Sequence, residues 1–231
     1  TQNNYDNYFY KFNGQIKNES GIVAGDTLKI GNISDRGFVI DRQLTLMPLD
    51  NTSKISNGFI HLVKGSDGST VSGLTINNTK GALSINGIYV GQLHGIWITK
   101  SNNNTIVNNT IRIANAAGVY AMPMGWSSYN RIIGNDMSTY ITCVMVMGQC
   151  HYNIISKNKL ETLDYNDLIV SNLIYFNPFG HADYGGSPLC LGNVISDNYL
   201  KAFCNGAMSI VLQLVYENHI NTTIANNTII R

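Results

Sequence analysis

Apolar residues in this chain recur in short alternating runs, not at helical spacing. Thr27-Leu-Lys-Ile30, Gly37-Phe-Val-Ile40, Gln43-Leu-Thr-Leu46, Gly58-Phe-Ile-His-Leu-Val63 and Thr70-Val-Ser-Gly-Leu-Thr-Ile76 each predict a β-strand bounded by turn residues. No window has a helical period with caps. From residue 104 onward the runs settle into one phrase, Asn-x-Ile-x-x-Asn-x-aliphatic, with copies starting at Asn104, Asn130, Asn153 and Asn193 and a last one at Thr222. The second Asn falls at Asn109, Asn135, Asn158, Asn198 and Asn227, in steps of 26, 23, 40 and 29 residues. Such a period predicts stacked coils that bury a continuous core only together. The expected fold is all-β: a right-handed single-stranded parallel β-helix of eight or nine coils, about 40 Å long at the strand spacing of about 4.8 Å.

In that fold the Ile and the later aliphatic residue face inward and the Asn occupies the bend, where left-handed backbone angles suit it. Equivalent asparagines then lie above one another, so Asn109, Asn135, Asn158, Asn198 and Asn227 are expected to form a hydrogen-bonded structural ladder. Residues 1–25, with Tyr5, Tyr8, Phe9, Tyr10 and Phe12, are expected to cap the first coil, and residues 26–231 to form the solenoid. Against the compact 23-residue step, the 40-residue step holds about 17 extra residues, assigned to a loop excursion at about 172–189. A smaller excursion runs from Tyr120 to Trp126, where packing is preferred to binding for Trp126 and Tyr129.

Composition narrows the function classes. Charged residues are only 13% of the chain, and 31 Asn outnumber the 29 acidic and basic residues, so polarity comes from amides. A net charge of +1 leaves no basic footprint for nucleic acid or an anionic membrane. No apolar stretch is long enough to span a bilayer, and Thr1-Gln-Asn-Asn-Tyr5 is not a signal peptide. A start without Met and a stop just after a complete phrase suggest a piece of a longer protein, or one that docks end to end.

Cys143, Cys150, Cys190 and Cys204 lack zinc-like spacing, and nothing calls for a metal or cofactor. Cys150 and Cys190 each precede a phrase by three residues, so on neighbouring coils they form either a disulfide or two buried thiols. Sequons at Asn18, Asn32, Asn51, Asn77, Asn103, Asn108, Asn221 and Asn226 permit glycosylation.

Gly25-Asp-Thr-Leu-Lys-Ile30, Gly37-Phe-Val-Ile-Asp-Arg-Gln-Leu-Thr-Leu46, Gly73-Leu-Thr-Ile-Asn-Asn78 and the Asn-x-Ile-x-x-Asn coils together resemble the parallel β-helix domains of adhesin-like proteins from methanogenic archaea. The pattern is also similar to the wider class that includes periplasmic copper-site maturation proteins, pectate lyases and alginate epimerases. The resemblance runs from about residue 25 to the end and rests on coil-building residues, so it is specific for fold and weak for function. It implies a β-helix exposed on a cell surface, one module of a large repetitive adhesin.

The chemistry of the 172–189 segment is open to two readings. Tyr175, Phe176, Phe179 and Tyr184 offer flat faces for sugar rings, with His181 and Asp183 to bond hydroxyls, which suits a non-catalytic module whose partner is a glycan or another protein subunit. Alternatively, His181, Asp183 and Tyr184, with His151, Lys157 and Lys159 on nearby coils, are candidates for a polysaccharide lyase or uronate epimerase, which needs a base, an acid and a cation beside the substrate carboxylate. A third expectation is a filament subunit that self-associates through open solenoid ends. The preferred expectation is the non-catalytic extracellular, cell-surface module.

Overall fold

A computed structural model describes residues 2–85, 88–114, 120–163, 170–177, 189–202, 208–214 and 219–230. Three all-parallel sheets of eight, eight and seven strands wrap around one core, making a parallel β-helix of eight coils. The third sheet consists of Gly37–Ile40, Phe59–Leu62, Ile96–Thr99, Met122–Gly125, Thr142–Met147, Val170–Asn177 and Met208–Leu214.

The repeat phrase supplies the first two sheets. Its strands are only three or four residues long, so one or two residues point inward from each. Register stacks Ile106 on Ile132, Ile155, Ile195 and Ile224 in the first sheet. In the second it stacks Ile111 on Met137, Leu160, Leu200 and Ile229. Each fully buried aliphatic side chain contributes roughly 1.5–3 kcal/mol relative to exposure.

The asparagines link the coils. The backbone N–H and side-chain Nδ2 of Asn109 both donate to Asn135 Oδ1 at 3.0 Å, and the pattern repeats from Asn135 to Asn158, Asn158 to Asn198 and Asn198 to Asn227. A second ladder, from the first Asn of the phrase, runs through Asn104, Asn130, Asn153 and Asn193. The left-handed residue is not the ladder Asn but the one before it: Asn108, Gly134, Lys157, Asp197 and Asn226 in one column, Asn103, Tyr129, Tyr152, Gly192 and Asn221 in the other. The bend turns the chain, and the next residue returns to an extended conformation that aims its amide along the stack.

At the N-terminal end a short helix, Gln2–Tyr8, which the apolar period did not predict, closes the solenoid. Too short to persist alone, it is held by tertiary contacts. Tyr5 stacks on Phe9 at 5.1 Å, both rings meet Phe38 edge-on, and the Tyr5 hydroxyl donates to Gly37 O. At the other end Ile224 and Ile229 are 50% and 56% exposed, whereas Ile195 and Leu200 beneath them are buried. No described helix is long and apolar enough to cross a membrane.

One sequence expectation needs correction, and one open alternative is decided. Residues 172–177, expected as the start of the loop, belong instead to an eight-residue strand, Val170–Asn177, paired on both edges in the third sheet. Only 178–188 remains of the interior of that excursion, and it lies outside the described residues. Cys150 and Cys190 are buried free thiols, as is Cys143. They extend a polar column of Ser66, Ser101 and Ser127: Ser101 N–H donates to Ser127 Oγ, Ser127 N–H donates to Cys150 Sγ at 3.4 Å, and Cys190 Sγ donates to Gly148 O at 3.5 Å. The sulfurs thus take the place of hydroxyls.

Burial pushes the Cys150 thiol up to about 12 and raises Cys143 and Cys190 as well, which keeps them as unreactive thiols. Native protein treated with dithionitrobenzoate at pH 8 should release at most one equivalent, from Cys204 outside the described residues, and all four after denaturation. Two rapid native equivalents would show that the column is open.

Candidate functional site

The outer face of the third sheet carries the most concentrated chemistry. Its strands alternate, with Ile60 and Leu62 buried on either side of His61, Ile96 and Ile98 beside Trp97, and Ile174 and Phe176 beside Tyr175. The middle residues therefore point outward. Register aligns Val39 with His61 and His61 with Trp97 across adjacent coils, then Pro123 with Met145, Tyr175 and Gln213. A flanking row runs Thr99, Gly125, Met147 and Asn177. Neither row carries a formal charge.

The early part of the face is an interlocked aromatic cluster. His61 stacks on Trp97 with centroids 4.0 Å apart and planes within 4°, His94 meets Trp97 edge-on at 5.2 Å, and Tyr120 stacks on His94 at 5.5 Å. His61 Nε2 lies 3.1 Å from Thr99 Oγ1. His94 Nδ1 accepts the Tyr120 N–H at 3.0 Å, so a neutral His94 carries its proton on Nε2. Burial pushes both imidazoles down to about 4, and at His61 the neighbouring His94 adds to the shift. Both are neutral at pH 7. Burial also raises the Tyr120 phenol, with a smaller contribution from Tyr175.

One wall of the face is an antiparallel hairpin, Ala82–Ile85 with Ile88–Gln92. It sits where Phe59 gathers Leu83, Leu93 and Val39 into a cluster separate from the solenoid core. Phe59 lies over Gly37, where an added Cβ would fall 2.2 Å from its ring.

Of the residues expected to contact ligand, Tyr175 stands in the outward row, with its hydroxyl accepting from Asn177 Nδ2 at 3.2 Å. Phe176 does not: it points inward and is completely buried, because alternation puts it on the face of Ile174. Phe179, His181, Asp183 and Tyr184 lie outside the described residues. His151 sits at the corner after the third sheet, its Nδ1 accepting from Leu191 N–H. Lys157 occupies an exposed left-handed corner, and Lys159 lies on the second sheet beside Glu161, so neither is on the face of Tyr175. Trp126 is half-buried, but Tyr129 is exposed, against the expectation that it packs. All eight sequon asparagines are exposed, while Asn109, Asn135, Asn158 and Asn198 are buried. Among the described residues no group of three His, Cys, Asp or Glu is placed to hold a metal ion.

His61, His94, Trp97 and Tyr120 were not singled out by sequence, although Ile60-His-Leu62 and Ile96-Trp-Ile98 carry the signal. In a strand with both neighbours buried, the middle residue must face out. Comparison with protein-family models, curated proteins and solved structures gives no match.

Proposed function

We propose that the chain is a non-catalytic module of an extracellular, cell-surface adhesin that contacts a glycan or another protein subunit through the outer face of its third sheet. The observation that carries this is the uncharged row of His61, Trp97, Tyr175 and Gln213 on consecutive or nearby coils, with the buried Met145 between Trp97 and Tyr175. Aromatic edges and neutral donors on a rigid sheet suit hydroxyl-rich or apolar partners. They suit uronates poorly, because a carboxylate calls for a cation.

The test is binding to an immobilised panel of neutral and acidic polysaccharides, with Trp97→Ala and Tyr175→Ser. Loss of at least about tenfold in affinity, or about 1.4 kcal/mol, with an unchanged circular dichroism spectrum supports the reading. Wild-type affinity in both variants overturns it.

A second reading, a structural subunit, draws on the exposed Ile224 and Ile229 at the C-terminal end. The helix over the N-terminal end favours contact at one end over head-to-tail stacking. Sedimentation of the Ile224→Glu, Ile229→Glu double variant against wild type separates the readings, since only an end-assembled subunit changes mass.

A further inference from the structure

The left-handed column Asn103, Tyr129, Tyr152, Gly192, Asn221 runs up one corner of the solenoid, with the N–H of each of the first four bonded into the coil above. Asn and Gly suit such a bend; tyrosine does not, and its presence there twice in succession is a strained choice. Nor are the two rings recruited to the core. Tyr129 and Tyr152 are 53% and 47% exposed and stack on each other at 5.2 Å with planes 17° apart.

Side chains at these left-handed corners lean onto the next coil. Asn108 Oδ1 lies over Gly134, the Trp126 ring over Gly148 and the Tyr152 ring over Gly192, each 2.5–2.6 Å from where a Cβ would sit. One face of Tyr129 is covered by Tyr152, and the coil on its other side carries Asn103 at the same corner, whose N–H donates to Ser128 O on the Tyr129 coil. Asn103 opens the sequon Asn103-Asn104-Thr105 and is exposed.

We propose that Asn103 carries an N-linked glycan whose innermost sugar packs against the free face of Tyr129. The strained, exposed tyrosine pair is then the platform for a group attached to this chain. The inference rests on the extracellular placement proposed above. Attachment is redox-neutral. The Asn103 side-chain nitrogen bonds to the anomeric carbon of a polyprenyl-pyrophosphate-linked oligosaccharide. The anomeric C–O bond breaks, the lipid pyrophosphate leaves with the electron pair, and the amide gives up one proton to a base of the transferase.

Other sequons lack this setting. Asn32 Oδ1 is held by Lys54 N–H at 3.1 Å, Asn108 lies on Gly134, and the column neighbour of Asn221 is Gly192, which has no ring of its own.

The test is secretion of the chain from cultured insect cells, which N-glycosylate their exports. Fragment mass spectra of the tryptic peptide Ser101–Arg112, which also holds Asn108, locate the sugar. The expected result is a glycan on Asn103 in most molecules, absent from Asn103→Gln. Protein trimmed to a single sugar should melt about 2 °C above Asn103→Gln, and Tyr129→Ser should erase that difference while leaving the sugar attached. Secreted protein with Asn103 bare overturns the inference, as does a modified Asn103 whose effect on melting is the same in Tyr129→Ser. Either failure leaves the third-sheet reading to its own test at Trp97 and Tyr175. Conversely, an intracellular location in the source cell would remove the surface reading without altering the acceptor result.

Discussion

Asn158→Leu should destabilise the protein by about 3 kcal/mol or more, read as a shift in urea midpoint with little change in slope. Asn158 Oδ1 accepts from Asn135 N–H at 2.9 Å and from Asn135 Nδ2 at 3.0 Å, while its own Nδ2 donates to Ile132 O at 2.9 Å and Asn198 Oδ1 at 3.0 Å. Leucine fills much of the volume and replaces none of these bonds. A buried N–H, an amide hydrogen and a carbonyl are stranded at once, at roughly 1–3 kcal/mol for each group left unpaired. Relaxation of adjacent coils recovers part of the sum, since each coil is tied to its neighbours by three short strands. The matched control is Asn77→Leu, where the asparagine is exposed on the second sheet; there the change should stay within about 0.5 kcal/mol. Equal effects at the two positions would show that the ladder contributes no more than surface amides do.

The ladder also explains which parts of the fold were legible. An amide column must repeat one residue type at one place in every coil, so it prints a period into the sequence, and two of the three sheets follow from it. The third sheet has no such column. It is separated from the phrase by segments of varying length, and its inward positions accept Leu, Met, Val, Ile or Phe. The extra length of the 40-residue step therefore places a loop from residue 172 onward, although Ile174-Tyr-Phe176 has the alternation that puts Phe176 inside and Tyr175 outside in the strand Val170–Asn177. The doubled Asn103-Asn104, Asn108-Asn109 and Asn226-Asn227 pairs concealed which member bends the chain. The other copies resolve it: Gly134, Lys157 and Asp197 hold the bend, and the Asn that follows holds the bonds. The hairpin at 82–92 and the helix at 2–8 leave no periodic trace because each is held by a few contacts to distant residues, Phe59 for one and Phe38 for the other.

Acidification from pH 7 to pH 4 should remove on the order of 4 kcal/mol of stability through His61 and His94. Their folded pKa values lie near 4, against an ordinary value of about 6.5. The sign follows from which state takes up protons first. Below 6.5 the unfolded chain protonates these imidazoles while the folded chain does not, so the stabilisation is complete above 6.5 and is lost as pH falls toward 4. Lowering an imidazole from about 6.5 to about 4 corresponds to roughly 3 kcal/mol per group, reduced at His61 because its ring is partly exposed to solvent. The groups seen against the pair are Trp97, Thr99 and Tyr120, all uncharged, so no described carboxylate there receives an imidazolium. His61→Gln with His94→Asn preserves a hydrogen-bonding atom near each nitrogen in use and removes both titrations. Melting midpoints of that double variant should vary much less than wild type between pH 6.5 and 4. Any remaining slope at the acidic end has the same sign and belongs to carboxylates such as Asp50, held below its ordinary pKa first by the Thr52 hydroxyl and then by Ser53. An unchanged slope in the double variant would place the acid sensitivity outside this cluster. Because the same protons would charge an otherwise neutral row, any binding through that row should weaken together with the loss of stability, and the double variant should delay the loss of stability.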